Sequence, residues 1–190
     1  MKISEVFYSI QGEGKNTGIA MVFVRLAGCN LRCEFCDTKY ALDSGYELSE
    51  PEVVIEAKKY ASKRVCITGG EPFMQDLPAL TELLRLEGLD VQIETNGTIY
   101  RPVDCDWLVV SPKSEMEPDS LMLKQANEIK MVIDSKEALE RAKAFEKWGE
   151  YHSLQPASNR EDMMALCVDF VKANPKWRLS VQLHKLIGID

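Results

Sequence analysis

The chain has 190 residues, 45% of them hydrophobic, with 23 Lys and Arg against 30 Asp and Glu for a formal net charge of −7. That length suits one domain, residues 1–190, with a substantial core. The dispersed acidic residues, without a stripe of Lys and Arg, exclude the grip on a phosphate backbone that nucleic acids require. No apolar run approaches a membrane span, and no opening stretch joins a basic region to an apolar core and a cleavage site. A cytoplasmic protein acting on a small molecule is expected, its six cysteines reduced or metal-bound rather than paired.

After an N-terminal arm comes Gln11-Gly12-Glu13-Gly14-Lys15-Asn16-Thr17-Gly18, which has the glycine content of a phosphate-cradling loop but not its spacing. It reads as a turn presenting Gln11 and Glu13 as donors and acceptors. Strands are predicted at Met21–Leu26, Arg64–Thr68, Asp90–Glu94, Trp107–Ser111, Glu128–Ile133, His152–Leu154 and Arg178–Leu183, with His184 ending the last. Between them lie amphipathic helices. Ser49 with Glu52 forms a capping box ahead of Val53, Val54, Ala57, Tyr60 and Ala61. Leu77, Leu80, Leu83 and Leu84 mark a second helix, stopped at Gly88. Ala138, Leu139, Ala142 and Phe145 mark a third, and Met163, Met164, Cys167, Val168 and Val171 a fourth. Strands and helices taking turns predict an α/β fold around a parallel sheet.

Polar punctuation gathers where the strands end: Gly69-Gly70-Glu71-Pro72, Glu94-Thr95-Asn96-Gly97, Ser111-Pro112-Lys113 and Gln155-Pro156. In a parallel barrel or open sheet these ends share one side. Cys29, Cys33 and Cys36 follow the first strand on that side. Three thiolates within eight residues can hold three corners of a cubane iron–sulfur cluster and leave one iron open. A structural zinc site is the alternative, but it usually draws its fourth ligand from a second short knuckle, and the chain has none. Cys66 and Cys167 read as packed small hydrophobes, and His152 receives no role. Arg25 would need an anionic partner if it points inward.

On these residues the chain resembles the radical S-adenosylmethionine superfamily, through Cys29-x3-Cys33-x2-Cys36. More narrowly it is similar to the 7-carboxy-7-deazaguanine synthase family, through Tyr8–Gly14, Arg25, Cys36-Asp37-Thr38, Ile67–Pro72, Glu94–Gly97, Ser111-Pro112-Lys113 and Leu183-His184-Lys185. The resemblance implies an incomplete, modified (β/α) barrel of the radical SAM type in a homodimer. It implies a 4Fe–4S cluster on Cys29, Cys33 and Cys36, S-adenosylmethionine on its open iron, and Mg2+ on Thr38. The implied reaction contracts the ring of 6-carboxy-5,6,7,8-tetrahydropterin to 7-carboxy-7-deazaguanine with loss of ammonia, on a queuosine-type route. A flavodoxin-like protein is the implied electron donor, and neither nucleic acid nor membrane is a partner.

Matched motif positions then imply roles. Phe35, Cys36, Asp37, Gly70, Ser111, Pro112, Lys113 and Gln155 would hold S-adenosylmethionine; Ile10, Gln11, Gly12, Glu13, Arg25, Thr68, His184 and Asp190 would hold the substrate. No residue is assigned as a catalytic acid or base. The alternatives are an activating enzyme for a glycyl-radical partner and, outside enzymes, a zinc-stabilised binding module.

Overall fold

The computed structural model describes residues 1–189, so the Asp190 assignment lies outside the described residues. The strands are β1 (Lys2–Ile10), β2 (Ala20–Leu26), β3 (Tyr46–Glu47), β4 (Arg64–Gly69), β5 (Asp90–Thr95), β6 (Trp107–Val110), β7 (Glu128–Ile133), β8 (Tyr151–Pro156) and β9 (Trp177–Leu179). The helices are α1 (Glu50–Ala57), α2 (Pro78–Leu86), α3 (Ser120–Gln125), α4 (Lys136–Ala142), α5 (Glu161–Ala173) and α6 (Leu183–Ile187). Among the described residues they form a nine-stranded sheet in the order β3-β1-β2-β4-β5-β6-β7-β8-β9. From β2 to β9 every pairing is parallel, whereas β1 runs antiparallel to both β2 and β3. The order is linear and the barrel is therefore not closed.

Alternation along the strands separates two faces. One face carries Val22, Val24, Val65, Ile67, Val91, Ile93, Ile129, Met131 and Leu154, all buried in the main core with the apolar sides of the helices. Leu77, Leu80 and Leu84 from α2 and Met163 and Cys167 from α5 complete that layer. The other face carries Arg25, Thr68, Gln92, Glu94, Glu128, Lys130, Ser153 and Gln155. Burying so many polar groups is tolerable only where they satisfy one another or a ligand.

Several local expectations change. The N-terminal arm is strand β1, and its Ile3 is fully buried in the core. The Ser49 backbone N–H donates to Glu52 Oε2 at 2.7 Å, so the capping box forms, but α1 stops at Ala57. Tyr60 lies beyond it and stacks on Tyr8, with ring centroids 5.4 Å apart. On α5, Val168 faces outward while Leu166, Phe170 and Val171 join Met163 and Cys167 against the core. The last strand ends at Leu179, and His184 sits in α6 rather than at a strand end. Leu183 N–H donates to Gly12 O at 3.0 Å, which folds this C-terminal helix back onto the loop after β1.

Candidate active site

A cavity of about 450 Å3 opens at the carboxyl ends of the parallel strands and runs inward over the polar face. Its wall includes Ile10, Gln11, Gly12, Glu13, Arg25, Cys29, Cys33, Phe35, Cys36, Asp37, Thr38, Thr68, Gly70, Ser111, Lys113, Gln155 and His184. One cavity can meet residues from β2, β8 and α6 only if the sheet wraps most of the way round. Of the described site residues named from the sequence, Pro112 is the one that does not line it, being buried beside Ser111.

At the inner end, Lys130 Nζ lies 2.6 Å from Glu13 Oε2 and 2.7 Å from Glu94 Oε2. Burial alone would raise the Glu13 carboxyl, but the Lys130 ammonium and hydrogen bonds from Lys130 and Gln182 outweigh it and hold the group near 2. Burial likewise opposes the charge on Lys130, and the two carboxylates override it, pushing its pKa well above the ordinary lysine value. Gln155 Nε2 and Gln182 Nε2 each donate to Glu13 Oε1 at 2.9 Å, and Gln11 Nε2 donates to Glu94 Oε1 at 2.9 Å. Asp37 accepts from Gln182 Nε2 and Lys185 Nζ, both at 2.9 Å. Burial opposes ionisation of Asp37, yet the Lys185 contact keeps its pKa below the usual carboxylate value.

Arg25 is held by one edge. Its Nε donates to Glu5 Oε1 at 2.7 Å, and Tyr40 Oη donates to the same oxygen at 2.7 Å. Burial and that hydrogen bond push the Tyr40 hydroxyl up to about 12. Among the described residues the two terminal nitrogens of Arg25 take no protein partner, which leaves a two-pronged donor for a carboxylate.

The cysteine loop lies at the other end. Gly70 packs so closely beneath it that a Cβ there would overlap the Gly28 carbonyl oxygen and sit 2.9 Å from Cys29 Cβ. Gly70 N–H donates to Leu26 O at 3.1 Å and Glu71 N–H to Gly28 O at 2.8 Å. The Glu71 side chain, fully buried, accepts from Thr95 Oγ1, Asn96 N and Phe73 N at 2.6, 2.7 and 3.0 Å. Asn96 Nδ2 in turn donates to Asn30 Oδ1 at 3.0 Å, so Glu71 anchors the loop through the end of β5. Lys113 Nζ donates to Ser111 Oγ at 2.6 Å and stands 5.7 Å from the Phe35 ring centre; burial lowers its pKa.

Sequence reasoning named much of this cavity but missed part of its wall: Lys130, Gln182, Glu5 and Tyr40. A signal was present in β7 and β5, where polar residues recur at every second position, Glu128 with Lys130 and Gln92 with Glu94, within otherwise apolar runs. That period places each pair on one face.

The sequence model described as "Radical SAM superfamily" matches residues 23–144. A 7-carboxy-7-deazaguanine synthase from Bacteroides thetaiotaomicron is 42% identical over 189 residues, covering 99% of this chain and 98% of that protein. One from Flavobacterium psychrophilum is 37% identical, covering 100% and 92%. The chain belongs to the 7-carboxy-7-deazaguanine synthase family of radical SAM proteins. The crystal structure of QueE from Escherichia coli superimposes on it with a TM-score of 0.84 at 34% identity, covering 96% of this chain and 94% of that one. An open radical SAM barrel is thus the fold.

The donor chemistry fits the groups that the radical SAM family implies. A lone tetrahedral zinc on thiolates would bring sulfurs to about 3.8 Å of one another, from Zn–S bonds of about 2.3 Å. Among the described residues the three-donor group found within 4.8 Å is Glu13, Asp37 and His184, not the three cysteines. Wider spacing around a shared mouth suits a cubane better than a single ion. Burial raises the Cys29 thiol and, with Glu115 beside it, pushes Cys33 up to about 12. For S-adenosylmethionine the telling atom is Gln155 Oε1, buried and without a hydrogen-bond partner among the described residues. Such an acceptor costs on the order of 1–3 kcal/mol when left unpaired, and a ligand hydroxyl or amine would satisfy it.

Proposed function

We propose that this chain contracts 6-carboxy-5,6,7,8-tetrahydropterin to 7-carboxy-7-deazaguanine with loss of ammonia. Beyond the family, one observation carries this reading: three thiols and an arginine with two free terminal nitrogens face the same 450 Å3 cavity. Cys29, Cys33 and Cys36 would hold a 4Fe–4S cluster which, with S-adenosylmethionine bound, would supply one-electron chemistry for removing hydrogen from the substrate. The remaining work belongs to the chain's own side chains.

Arg25 takes the substrate carboxylate on its two terminal nitrogens while Glu5 fixes the guanidinium plane. Glu13, kept ionised by Lys130, accepts hydrogen bonds from the ring's amino and N–H groups, and Gln11, Thr68 and His184 complete the outline. Lys113 and Ser111 meet the polar groups of the cofactor, Phe35 packs against its adenine, and Gly70 lets it reach the backbone. Thr38, whose hydroxyl is 3.6 Å from Cys36 Sγ, would offer an oxygen ligand to Mg2+. The same reading takes a flavodoxin-like protein as reductant, a homodimer as the assembly and the cytoplasm as the setting. No helix is long and apolar enough to cross a membrane.

The test is an anaerobic assay with reductant, S-adenosylmethionine, Mg2+ and the carboxylated tetrahydropterin, read by product mass. The deazapurine is expected from protein carrying about four irons. Cofactor cleavage without product rejects the substrate, and colourless protein with stoichiometric zinc rejects both enzyme readings.

A further inference from the structure

We propose that Glu128 is a positioning residue that locks the loop 11–18 across the open barrel, so that this loop forms the floor of the substrate half of the cavity. The inference rests on the reading that the cavity takes a pterin. Glu128 opens β7 and is 1% exposed. Its carboxylate accepts from Ser153 Oγ at 2.6 Å on β8, from Trp107 Nε1 at 3.1 Å on β6, and from the Lys15 backbone N–H at 3.2 and 3.3 Å. Two strands and the loop thus meet on one side chain that is absent from the cavity wall.

The loop is shaped for that anchor. Gly14 has φ +66°, and a Cβ there would stand 2.5 Å from Glu128 Oε1, so only glycine lets the chain turn over the carboxylate at this distance. Gly14 N–H donates to Ser180 Oγ at 2.8 Å, Asn16 Nδ2 donates to Gln92 Oε1 at 2.7 Å, and Lys15 Nζ stands 3.8 Å above the Trp107 ring. The loop leaves β1 and reaches the inner face of β5 through β8, spanning the interior of a barrel that its strands leave open. Glu13 is next to Gly14 in the chain. The Glu128 contact therefore sets how far the Glu13 carboxylate projects toward Lys130 and the substrate ring, while the cysteine loop and Lys113 stand on other elements.

The expected signature is selective. Glu128→Gln removes the charge and leaves at most one oxygen for the Lys15 N–H and Trp107 Nε1–H donors that both carboxylate oxygens now serve, its amide nitrogen turning to Ser153 Oγ. The substrate KM should rise roughly tenfold to a hundredfold, with iron content unchanged, and hydrogen exchange at Gly14 and Lys15 should accelerate ahead of the core strands. Gly14→Ala, which leaves the carboxylate in place and disturbs the turn, should reproduce the same pattern and covers the case in which Glu128→Gln fails to fold. An unchanged KM in a folded variant overturns the proposal, as does a parallel loss of iron or a uniform rise in exchange across all strands. Wild-type protein that does not turn over the pterin refutes the functional reading instead, and the exchange arm still tests the anchor.

Discussion

Lys130 bridges Glu13 and Glu94 at 2.6 and 2.7 Å with 4% of its surface exposed, so replacing it by Met strands two carboxylates with no cation between them. Breaking such a buried pair costs about 3–5 kcal/mol, most of it the penalty of an uncompensated charge. A domain is stable by only about 5–15 kcal/mol, so Lys130→Met should lose about a fifth or more of its margin. If that penalty arises from charge, neutralising Glu13 should relieve it. The double variant Lys130→Met/Glu13→Gln should therefore be more stable than the two single losses predict, by a coupling of about 1–3 kcal/mol. Urea unfolding followed by circular dichroism gives each stability from its midpoint, provided the slope is the same across the cycle. Single losses that add within about 0.5 kcal/mol would refute the reasoning, because they would mean that the short contacts carry no interaction energy.

Arg25→Ala should raise the substrate KM by about 30-fold to several thousand-fold, the equivalent of about 2–5 kcal/mol for an unpaired buried carboxylate. Arg25→Lys should recover little, since one ammonium cannot hold Glu5 and present a fork as well; an unaffected KM in either variant would exclude the pairing. Gly70→Ala puts a methyl onto the Gly28 carbonyl and against Cys29, both part of the cysteine loop, and should lower the iron-to-protein ratio after anaerobic reconstitution; full iron loading would show that the loop tolerates displacement. The Glu13 carboxyl titrates below its ordinary 4.5, near 2. Its ion-pair contribution is complete above about pH 4.5 and is lost as pH falls toward 2. Stability measured across that window should fall less steeply in Glu13→Gln, and identical slopes would contradict the depressed value.

The parts of the fold that were legible are those in which local pattern and final environment agree. The parallel strands are apolar runs closed by glycine or polar turns, and the cysteine spacing survives without any tertiary knowledge. β1 was missed because Lys2–Ile10 mixes charged and apolar residues and pairs antiparallel at the edge of a parallel sheet, so that only the register with β2 makes it a strand. Lys130 was missed for a different reason. An inward charge every second residue is indistinguishable in sequence from a solvated strand face, and only the curling of the sheet turns that face into a cavity. His184 was placed at a strand end because Val181, Leu183 and Leu186 give no helical stripe long enough to read, and α6 is five residues long. The roles of Phe35, Thr38 and Gln155 rested on resemblance to a family throughout, since none has a spacing that implies chemistry.

Preorganisation explains why this interior can be so polar. Glu13, Glu94, Asp37 and Lys130 already have partners on other segments, so a ligand entering the cavity does not have to order them. Against that satisfied background the groups with unused capacity among the described residues stand out: the terminal nitrogens of Arg25, the orphaned Oε1 of Gln155 and the three thiols. Together they trace the outline of what must bind, a carboxylate at one end, a hydrogen-bond donor along the wall and iron at the mouth. A zinc module would need none of the first two. A glycyl-radical activating enzyme would have to admit a polypeptide segment around a glycine, which brings no carboxylate to the two terminal nitrogens of Arg25. A small, flat, hydrogen-bond-rich acid meets all three demands at once, which is the physical reason for preferring the pterin.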